Sequence, residues 1–272
     1  MTTGDTSPER IVSAHYTNPD LGAAILAAVR ERGGDPEHPT FENLAPFDHY
    51  HGGSLPTTLA LLRLADPPRG LRVLDVGGGI GGPARTLARE LDSHVTVLDA
   101  TPAFCDVGEM LTERTGLADR VTFCHGSALA MPFTAGDFDL VWMQNVGMHI
   151  PEKGRLFEEI ARVLRPHGRL ALQEILAGAN QPAHYPTPWA ATAAASFLPT
   201  EQELHDALTA AGFHEVARQA PPARPLPAGP EPLSPLSQLI WGEAASRTID
   251  ENLRRNMAEG RMAGIMLIAE RG

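Results

Sequence analysis

The residues with the clearest chemical meaning are an acid and a group of glycines in residues 71–82, LRVLDVGGGIGG. A short apolar run is followed there by Asp75 and then by closely spaced glycines. Glycine permits a sharp turn and a close approach of a ligand, and such a loop after a parallel strand is typical of nucleotide-binding sites. Gly77, Gly79 and Gly82 also satisfy the G-x-G-x-x-G spacing of NAD and FAD sites. The segment therefore predicts a nucleotide-type cofactor without deciding which one.

Two side chains further along are candidates for proton transfer. His149 follows the fourth strand-like segment, and because histidine titrates near neutral pH it could accept a proton from an O–H, N–H or C–H group. Glu174 ends the fifth strand-like segment and could act as a base or stabilise a cation. Each could instead be a hydrogen-bonded structural group. The sequence leaves the identity of the base open.

Other polar and aromatic side chains carry weaker indications. His184, Tyr185 and Trp189 could shape a substrate pocket and offer an aromatic face to a cation, or could simply pack. His49 and His51 alternate as metal ligands do, but no third ligand follows at a recognisable spacing. We therefore predict no metal site.

The elements that must position these residues follow an alternating pattern. Strands are predicted at 72–75, 95–98, 121–124, 139–143 and 170–173, with helical periodicity between several of them. Strands that alternate with helices indicate a parallel sheet covered on both faces. The carboxyl ends of these strands should carry the site.

The flanks of this core are less regular. Helices are predicted at 7–15, 20–30 and through Leu59, Leu62 and Leu64 before the sheet, and at 236–257 after it. Residues 176–199 lack a period and are predicted to form an insertion or a lid over the site. Further along we predict a capping box at Thr200 and Glu203, a weak strand at 214–218, a stiff proline-rich connection at 220–235 and a closing strand at 264–269.

Composition limits the classes of function. The chain has 272 residues, 43% of them hydrophobic, and a formal net charge of −11. It contains no basic cluster that could neutralise a row of phosphates, so DNA and RNA are disfavoured as partners. No signal segment or apolar run of roughly 18 residues occurs, which predicts a cytoplasmic protein without a membrane span. Cys105 and Cys124 are predicted to be reduced thiols.

A longer pattern gives the glycine loop a family resemblance. Asp75 with Gly77, Gly79 and Gly81 forms D-x-G-x-G-x-G, which resembles motif I of the class I S-adenosylmethionine-dependent methyltransferases. That cofactor carries an ammonium group, which an acid near the loop can attract. Residues 131–143 and the VLRPHGRL segment at 163–170 resemble later segments of the family, with His167 in place of a turn glycine.

The flanking residues resemble a narrower branch. VGGGIGGPAR at 76–85 is similar to small-molecule methyltransferases that include sterol, tocopherol and natural-product C-methyltransferases, along with amine N-methyltransferases. PFDHYHGGS at 46–54 resembles the branch's segment that folds over the methionine end of the cofactor. The resemblance implies that His51 and Gly53 contact the carboxylate and that Tyr16 closes over the methyl group.

The resemblance also assigns the remaining cofactor contacts. Asp99, followed by Ala100, would hold the ribose hydroxyls, although a dinucleotide site has an acid at the same place. Ser127 and Ala128 would meet the adenine, with Ser127 at a position where the family often has aspartate. Gln144 would meet the methionine portion.

Taken together, the sequence predicts one methyltransferase domain over residues 1–272. The fold class is α/β: a Rossmann-like, seven-stranded, mostly parallel sheet with a reversed last strand, helices on both faces and an N-terminal helical cap. The cap is predicted at 1–66, the cofactor-binding core at 67–175, the insertion at 176–199 and the rest of the core at 200–272.

The predicted activity is methyl transfer from S-adenosylmethionine to a small molecule at C, N or O. A methyltransferase-fold cyclase, with or without coupled methylation, is the main alternative, and an NAD-dependent oxidoreductase is a further one. A non-catalytic binding protein is the third. A homodimer is compatible with the sequence.

Overall fold

The strand-like runs of the sequence assemble into one seven-stranded sheet in the computed structural model, which describes residues 18–222 and 233–272. The strands are β1 (Arg72–Val76), β2 (His94–Asp99), β3 (Val121–His125), β4 (Phe138–Gln144), β5 (Leu164–Ala177), β6 (Phe213–Gln219) and β7 (Met262–Arg271). Their order in the sheet is β3-β2-β1-β4-β5-β7-β6. β1 to β5 pair in parallel, and β7 runs antiparallel to both of its neighbours. The predicted fold class, including the reversed last strand, is confirmed.

The helices that flank the sheet also match the sequence pattern, with one addition. They are α1 (Leu21–Glu31), α2 (Phe41–Asp48), α3 (Ser54–Ala65), α4 (Gly82–Leu91), α5 (Pro102–Arg114), α6 (Lys153–Val163), α7 (Glu201–Ala210) and α8 (Pro235–Ala258). The sequence did not predict α2, because Pro46 lies inside it and proline usually breaks a helix. A capping box between Thr40 and Asn43 starts this helix.

The core lies on both faces of the sheet. Apolar side chains of α6 and α7 pack on one face, and those of α3 and α4 pack on the other. Burial on both sides explains why the central strands read as continuous apolar runs rather than as alternating ones. In β1, for example, Val73, Leu74 and Val76 are all fully buried.

The C-terminal part departs from the prediction in one detail. The capping box of Thr200 and Glu203 is present at the start of α7. The predicted helix at 236–257 is α8, but Gly242 interrupts it with φ 77° and ψ 168°. Pro235–Trp241 is therefore a separate short helical segment before the break. The predicted helix at 7–15 lies outside the described residues, as do residues 223–232 of the proline-rich connection.

Two composition-based expectations can be compared with the structure. Cys105 and Cys124 are free thiols, as predicted. Within residues 18–222 and 233–272, no helix has both the length and the apolar character needed to cross a membrane. The division of the chain at 66, 175 and 199 stays a prediction.

Candidate functional site

A cavity lies where the sheet should carry a site, at the carboxyl ends of β1, β2, β3 and β4. It encloses about 1170 Å³ of space, part of which is open to solvent. Most of the predicted site residues line it: His51, Asp75, Gly77, Gly79, Asp99, Ala100, Ser127, Ala128, Gln144 and His149. The structure thus brings together side chains that are up to 98 positions apart in the sequence, as for His51 and His149.

The glycine loop after β1 needs its glycines for different reasons. Gly77 has φ +65°, and a Cβ atom there would lie 2.5 Å from Cγ2 of Val146. Gly79 has φ +57°, but the nearest atom to its Cβ position is 4.0 Å away. Packing and conformation both require glycine at 77, whereas at 79 the backbone faces open space. Gly81 does not line the cavity and is the N-cap of α4.

Asp75 is the most unusual side chain of the cavity. It is 1% exposed, and its Oδ2 atom has no hydrogen-bond partner in the described residues. Burial, assisted by the nearby Asp99, raises the pKa of Asp75 well above its usual range. Burying a carboxyl group whose oxygen has no hydrogen-bond partner costs free energy unless a hydrogen-bond donor or a cation binds to that oxygen. The site is therefore prepared for a positively charged or hydrogen-bond-donating group beside Asp75.

Asp99 connects the glycine loop to the end of β2. Its Oδ2 accepts the backbone N–H of Gly79 at 2.9 Å, and its Oδ1 accepts that of Thr101 at 2.8 Å. Burial raises the pKa of Asp99, although these two bonds act against the rise. Each carboxylate oxygen can accept more than one hydrogen bond, so Asp99 can still accept hydroxyl groups of a ligand.

The segment that follows β3 forms another part of the cavity lining. Gly126, Ser127, Ala128 and Leu129 line it there. Ser127 Oγ accepts the backbone N–H of Leu129 at 3.1 Å and so stabilises this turn.

A chain of amides holds the segment before α3 against the sheet. Oε1 of Gln144 accepts from Trp142 Nε1 at 2.7 Å and from Thr58 Oγ1 at 3.1 Å. Nε2 of Gln144 donates to Gln173 Oε1 at 2.5 Å, and Gln173 donates to the carbonyl of Gly52 at 2.8 Å. Sequence reasoning did not find Gln173. Gln173 pairs with Gln144 in the register of β4 and β5, so a predicted alignment of these two strands would have indicated it.

The other predicted contacts of this segment are placed differently. His51 lines the cavity, with Nε2 at 2.9 Å from Thr58 Oγ1. Burial lowers the pKa of His51 to about 3, so its ring is neutral near pH 7. Gly53 is the N-cap of α3 and does not line the cavity. Tyr16 lies outside the described residues.

A buried ionic network anchors α2 to α4, and sequence reasoning missed it. Asp48 lines the cavity and binds Arg85 Nη2 at 2.8 Å and His49 Nδ1 at 2.6 Å. The other ring nitrogen of His49 lies 3.0 Å from Thr86 Oγ1. Burial alone would raise the pKa of Asp48, but the bond from His49 and the charge of Arg85 hold it below its usual value. His49 is thus part of the anchor between these helices.

The two candidate bases occupy different environments. His149 ends a short 3₁₀ turn, Gly147–His149, and lines the cavity. Glu174 does not line the cavity. Its Oε1 accepts the backbone N–H groups of Gly147 at 2.7 Å and Val146 at 3.1 Å, and burial raises the pKa of Glu174 to about 7. Glu174 supports the turn that carries His149 from behind.

Residues 176–199 contribute nothing to the lining of the cavity in the described part of the chain. Trp189 belongs to one buried cluster with Met148 and Met262, and its Nε1 donates to Ser196 Oγ at 2.9 Å. His184 Nε2 lies 3.0 Å from Glu259 Oε2. The cavity wall that the sequence assigned to this segment comes instead from the segment before α3, from α5 and from α8, through Tyr50, Phe104 and Leu236.

Part of the chain is similar to known methyltransferases. Residues 74–172 match a family model described as a methyltransferase domain. A probable chloroplastic tocopherol O-methyltransferase of Oryza sativa subsp. japonica is 40% identical over 100 residues, which are 37% of this chain and 28% of that protein. The matched stretches span from 19% to 43% of the curated relatives, so the chain spans less than half of their length. The match supports the methyltransferase pattern of the glycine loop over the NAD pattern.

Solved structures extend the fold similarity to nearly the whole chain. The crystal structure of the 4+2 cyclase SpnF has a TM-score of 0.68 at 20% identity and covers 97% of each chain. A geranyl diphosphate C-methyltransferase from Streptomyces coelicolor A3(2), in complex with Mg²⁺, geranyl-S-thiolodiphosphate and S-adenosyl-L-homocysteine, has a TM-score of 0.70 at 16% identity and covers 98% of this chain and 99% of that chain. At these identities the likeness concerns the fold.

Proposed function

We propose that this chain, which belongs to the class I S-adenosylmethionine-dependent methyltransferases, transfers a methyl group from S-adenosylmethionine to a small-molecule acceptor. The observation that carries the proposal is the unpaired oxygen of buried Asp75, a residue that lines the cavity together with the glycine loop and Asp99. An ammonium group is the chemical partner that such a carboxyl group lacks. S-adenosylmethionine has an ammonium group, a ribose and an adenine, which suit Asp75, Asp99 and the turn after β3 in that order.

The residues assigned to the cofactor divide along the cavity. Asp75 and the backbone of Gly77 and Gly79 would hold the methionine end, together with His51 and Gln144. The neutral ring of His51 can donate or accept a hydrogen bond without adding charge.

The ribose and adenine complete the cofactor assignment. Asp99, with Ala100 beside it, would accept the ribose hydroxyls, and Ser127 with Ala128 would face the adenine. Gly53 and Gly81 would act indirectly, as N-caps of α3 and α4. Tyr16 remains a proposed contact at the methyl group.

When bound, S-adenosylmethionine supplies an electrophilic methyl group on a sulfonium. The chain's own contribution would be alignment and exclusion of water, since positioning two reactants can be worth on the order of 7 kcal/mol or more. His149 would accept the proton that the acceptor loses if the acceptor atom carries one. Glu174 would hold the turn of His149 through the N–H groups of Val146 and Gly147.

A methyltransferase-fold cyclase is the second candidate. The fold similarity to the cyclase SpnF, which extends over 97% of each chain, favours this second candidate. The products separate the two activities. Methyl transfer adds one methylene unit to the mass of the acceptor and forms S-adenosylhomocysteine, whereas cyclisation alone leaves the mass unchanged.

The experiment that tests the proposal is calorimetric titration of the protein with S-adenosylhomocysteine, with NADH as the competing cofactor. We expect binding of S-adenosylhomocysteine and none of NADH. Asp75→Asn should weaken binding at least about tenfold, because a charge-assisted contact is lost. Asp106→Asn, at an exposed acid of α5, is the matched control and should bind normally. Binding of NADH alone would refute the proposal.

Partners and location belong to the same proposal. We expect a cytoplasmic enzyme that acts on a small molecule and has no nucleic-acid partner, in line with its net charge of −11. A homodimer is compatible with this function, and sedimentation analysis would determine the oligomeric state.

A further inference from the structure

We infer that residues 235–241, the first segment of α8, form a lid over the cavity that swings on Gly242 to let the cofactor enter and leave. This inference rests on the proposed function, because it concerns access to the site that we assign to S-adenosylmethionine. What the lid covers, how it joins the rest of α8 and where the two parts of that helix are attached all support it.

The lid covers one side of the cavity. Leu236 lines the cavity and is 2% exposed. It belongs to one buried cluster with Ile80 of the glycine loop and Leu44 of α2, and Leu239 and Ile240 of the lid pack against that cluster. A ligand that fills the cavity therefore contacts the lid, and the lid closes this side of the cavity in the structure.

Gly242 joins the lid to the rest of α8 without continuing the helix. Its backbone has φ 77° and ψ 168°, a conformation that is accessible essentially to glycine alone. Apart from its own neighbours in the chain, no atom of the described residues lies within 4 Å of its Cβ position. Packing therefore does not require a glycine here, and the backbone can rotate without displacing another segment. Such a position can serve as a hinge.

The part of α8 that follows the hinge is fixed to another segment. Asn256, which is fully buried, donates to the carbonyl of His184 at 2.9 Å and accepts the backbone N–H of His184 at 2.7 Å. Asn252 donates to the carbonyl of Pro186 at 3.0 Å. These bonds can hold this part of the helix in place while the lid moves.

The attachments of the lid lie on the cap, beside the cavity. Asn18 Nδ2 donates to the carbonyl of Leu239 at 2.8 Å, and Ser237 Oγ donates to the hydroxyl of Tyr50 at 3.4 Å. The ring centres of Trp241 and Tyr50 are 5.6 Å apart, and Tyr50 lines the cavity. A helical segment this short is not stable by itself in water, so docking on the cap must hold the lid closed.

A lid differs from a fixed wall in its effect on binding rates. A ligand in the cavity contacts Leu236 only while the lid is closed, so it should shift the lid toward that state. Entry and release both require the lid to open. Weakening the closed state therefore speeds up both steps, whereas weakening a fixed wall speeds up release alone.

Hydrogen exchange tests the lid in the wild-type protein. Without ligand, we expect the backbone amides of residues 239–241 to be protected at least about tenfold less than those of residues 247–256, because the lid opens separately. Saturation with S-adenosylhomocysteine should raise the protection of residues 239–241 at least about tenfold. Equal protection of the two sets without ligand, or no effect of the bound ligand on residues 239–241, would overturn the inference.

Gly242→Ala tests the hinge through the rates of ligand binding. Alanine disfavours this backbone conformation, so the closed lid loses stability. Surface plasmon resonance should show both the association and the dissociation rate constant of S-adenosylhomocysteine raised at least about fivefold, so that the dissociation constant changes less than either. Gly212→Ala is the matched control. Gly212 has φ +85°, an equally open Cβ position and no place in the cavity lining, so both rate constants should stay unchanged.

A second variant is used if Gly242→Ala does not fold. Trp241 is not among the described residues that line the cavity, and Trp241→Ala removes its ring contact with Tyr50. Both rate constants should then rise at least about threefold, in line with the strength of one aromatic contact. A rise in the dissociation rate constant alone, or no change in either constant, would overturn the inference.

The outcomes separate this inference from the proposed function. Failure of the wild-type protein to bind S-adenosylhomocysteine refutes the proposed function. Hydrogen exchange of the ligand-free protein still decides in that case whether residues 235–241 open separately from the rest of α8.

Discussion

The carboxyl edge of the sheet and the cap that faces it across the cavity are built from contacts of very different range. At the sheet edge, Asp75, the glycine loop and α4 follow one another within a single stretch of sequence, and Asp99 reaches Gly79 across 20 positions. On the cap side, the hydrogen bond between Ser237 and Tyr50 joins residues 187 positions apart. The sheet-edge side of the cavity can thus form from a local strand–loop–helix unit, whereas the cap side exists only once distant segments have packed.

The largest expected effect is on the cap. Asp48→Asn leaves Arg85 buried without its counter-ion, and loss of one partner of a buried ion pair costs about 3–5 kcal/mol. We expect chemical denaturation to show that loss. Titration of the folded variant with S-adenosylhomocysteine should also show a loss of binding free energy, and this loss should be smaller than the loss of stability.

Asp137→Asn is the matched control for this change. It removes the partner of Arg72 in a pair whose side chains are 29% and 61% exposed, and we expect a cost of about 0–1 kcal/mol. Equal losses of stability in the two variants would contradict the distinction between the buried anchor and a surface pair.

The support beneath the His149 turn should make stability depend on pH. The pKa of Glu174 is raised from its ordinary 4.5 to about 7, so the folded state holds a proton that the unfolded state releases. Stability from this group is complete below about pH 4.5 and is lost as the pH rises toward 7.

Glu174→Gln removes this titration. Its stability relative to the wild type should therefore rise by up to about 3 kcal/mol across that range and stay level above it. Denaturation at a series of pH values measures this difference. Glu158→Gln, at an exposed acid of α6, should show no such slope, and a flat profile for Glu174→Gln would show that its carboxyl group ionises normally in the fold.

Gly77→Ala should damage the sheet-edge side of the cavity, where we propose that the cofactor binds, more than the cap. The new methyl group would need φ +65° and would lie 2.5 Å from Val146, which together should cost about 2 kcal/mol of stability. Because the loop itself must shift, we expect S-adenosylhomocysteine to bind at least about tenfold more weakly.

Gly70→Ala is the matched control, because it adds the strain of a positive φ without adding a close contact. Gly70 has φ +77° with nothing within 4 Å of its Cβ position. This variant should lose about 1 kcal/mol of stability and keep its affinity for S-adenosylhomocysteine. If the two glycine variants bind S-adenosylhomocysteine with equal affinity, the glycine loop is not part of the cofactor site.

The smallest effect concerns an irregular position within β5, away from both regions. His167, at the place where the family pattern has glycine, adopts φ +61°, and its side chain is 80% exposed. His167→Gly should therefore raise the free energy of unfolding by about 1 kcal/mol or less. His167→Ala must adopt the same positive φ, so thermal unfolding should show no gain in its stability. A gain in that variant would show that the histidine side chain, and not the backbone conformation, is destabilising.

The sequence by itself determined the sheet, the glycine loop and the positions of Asp75 and Asp99. These features depend on local rules: apolar runs make buried strands, glycines make tight turns, and the ends of parallel strands meet at one edge. The same rules indicated the capping box of α7. They failed at α2 because Pro46 is a local signal for a break that packing and capping overcame.

Only the tertiary structure decided which distant segments close the cavity. It placed Glu174 behind the turn of His149, turned residues 176–199 away from the cavity, and brought Leu236 and Tyr50 to its wall. It also paired Asp48 with Arg85, 37 positions apart. No periodicity or spacing encodes such contacts, because each depends on how segments far apart in the chain exclude water from one another when they pack.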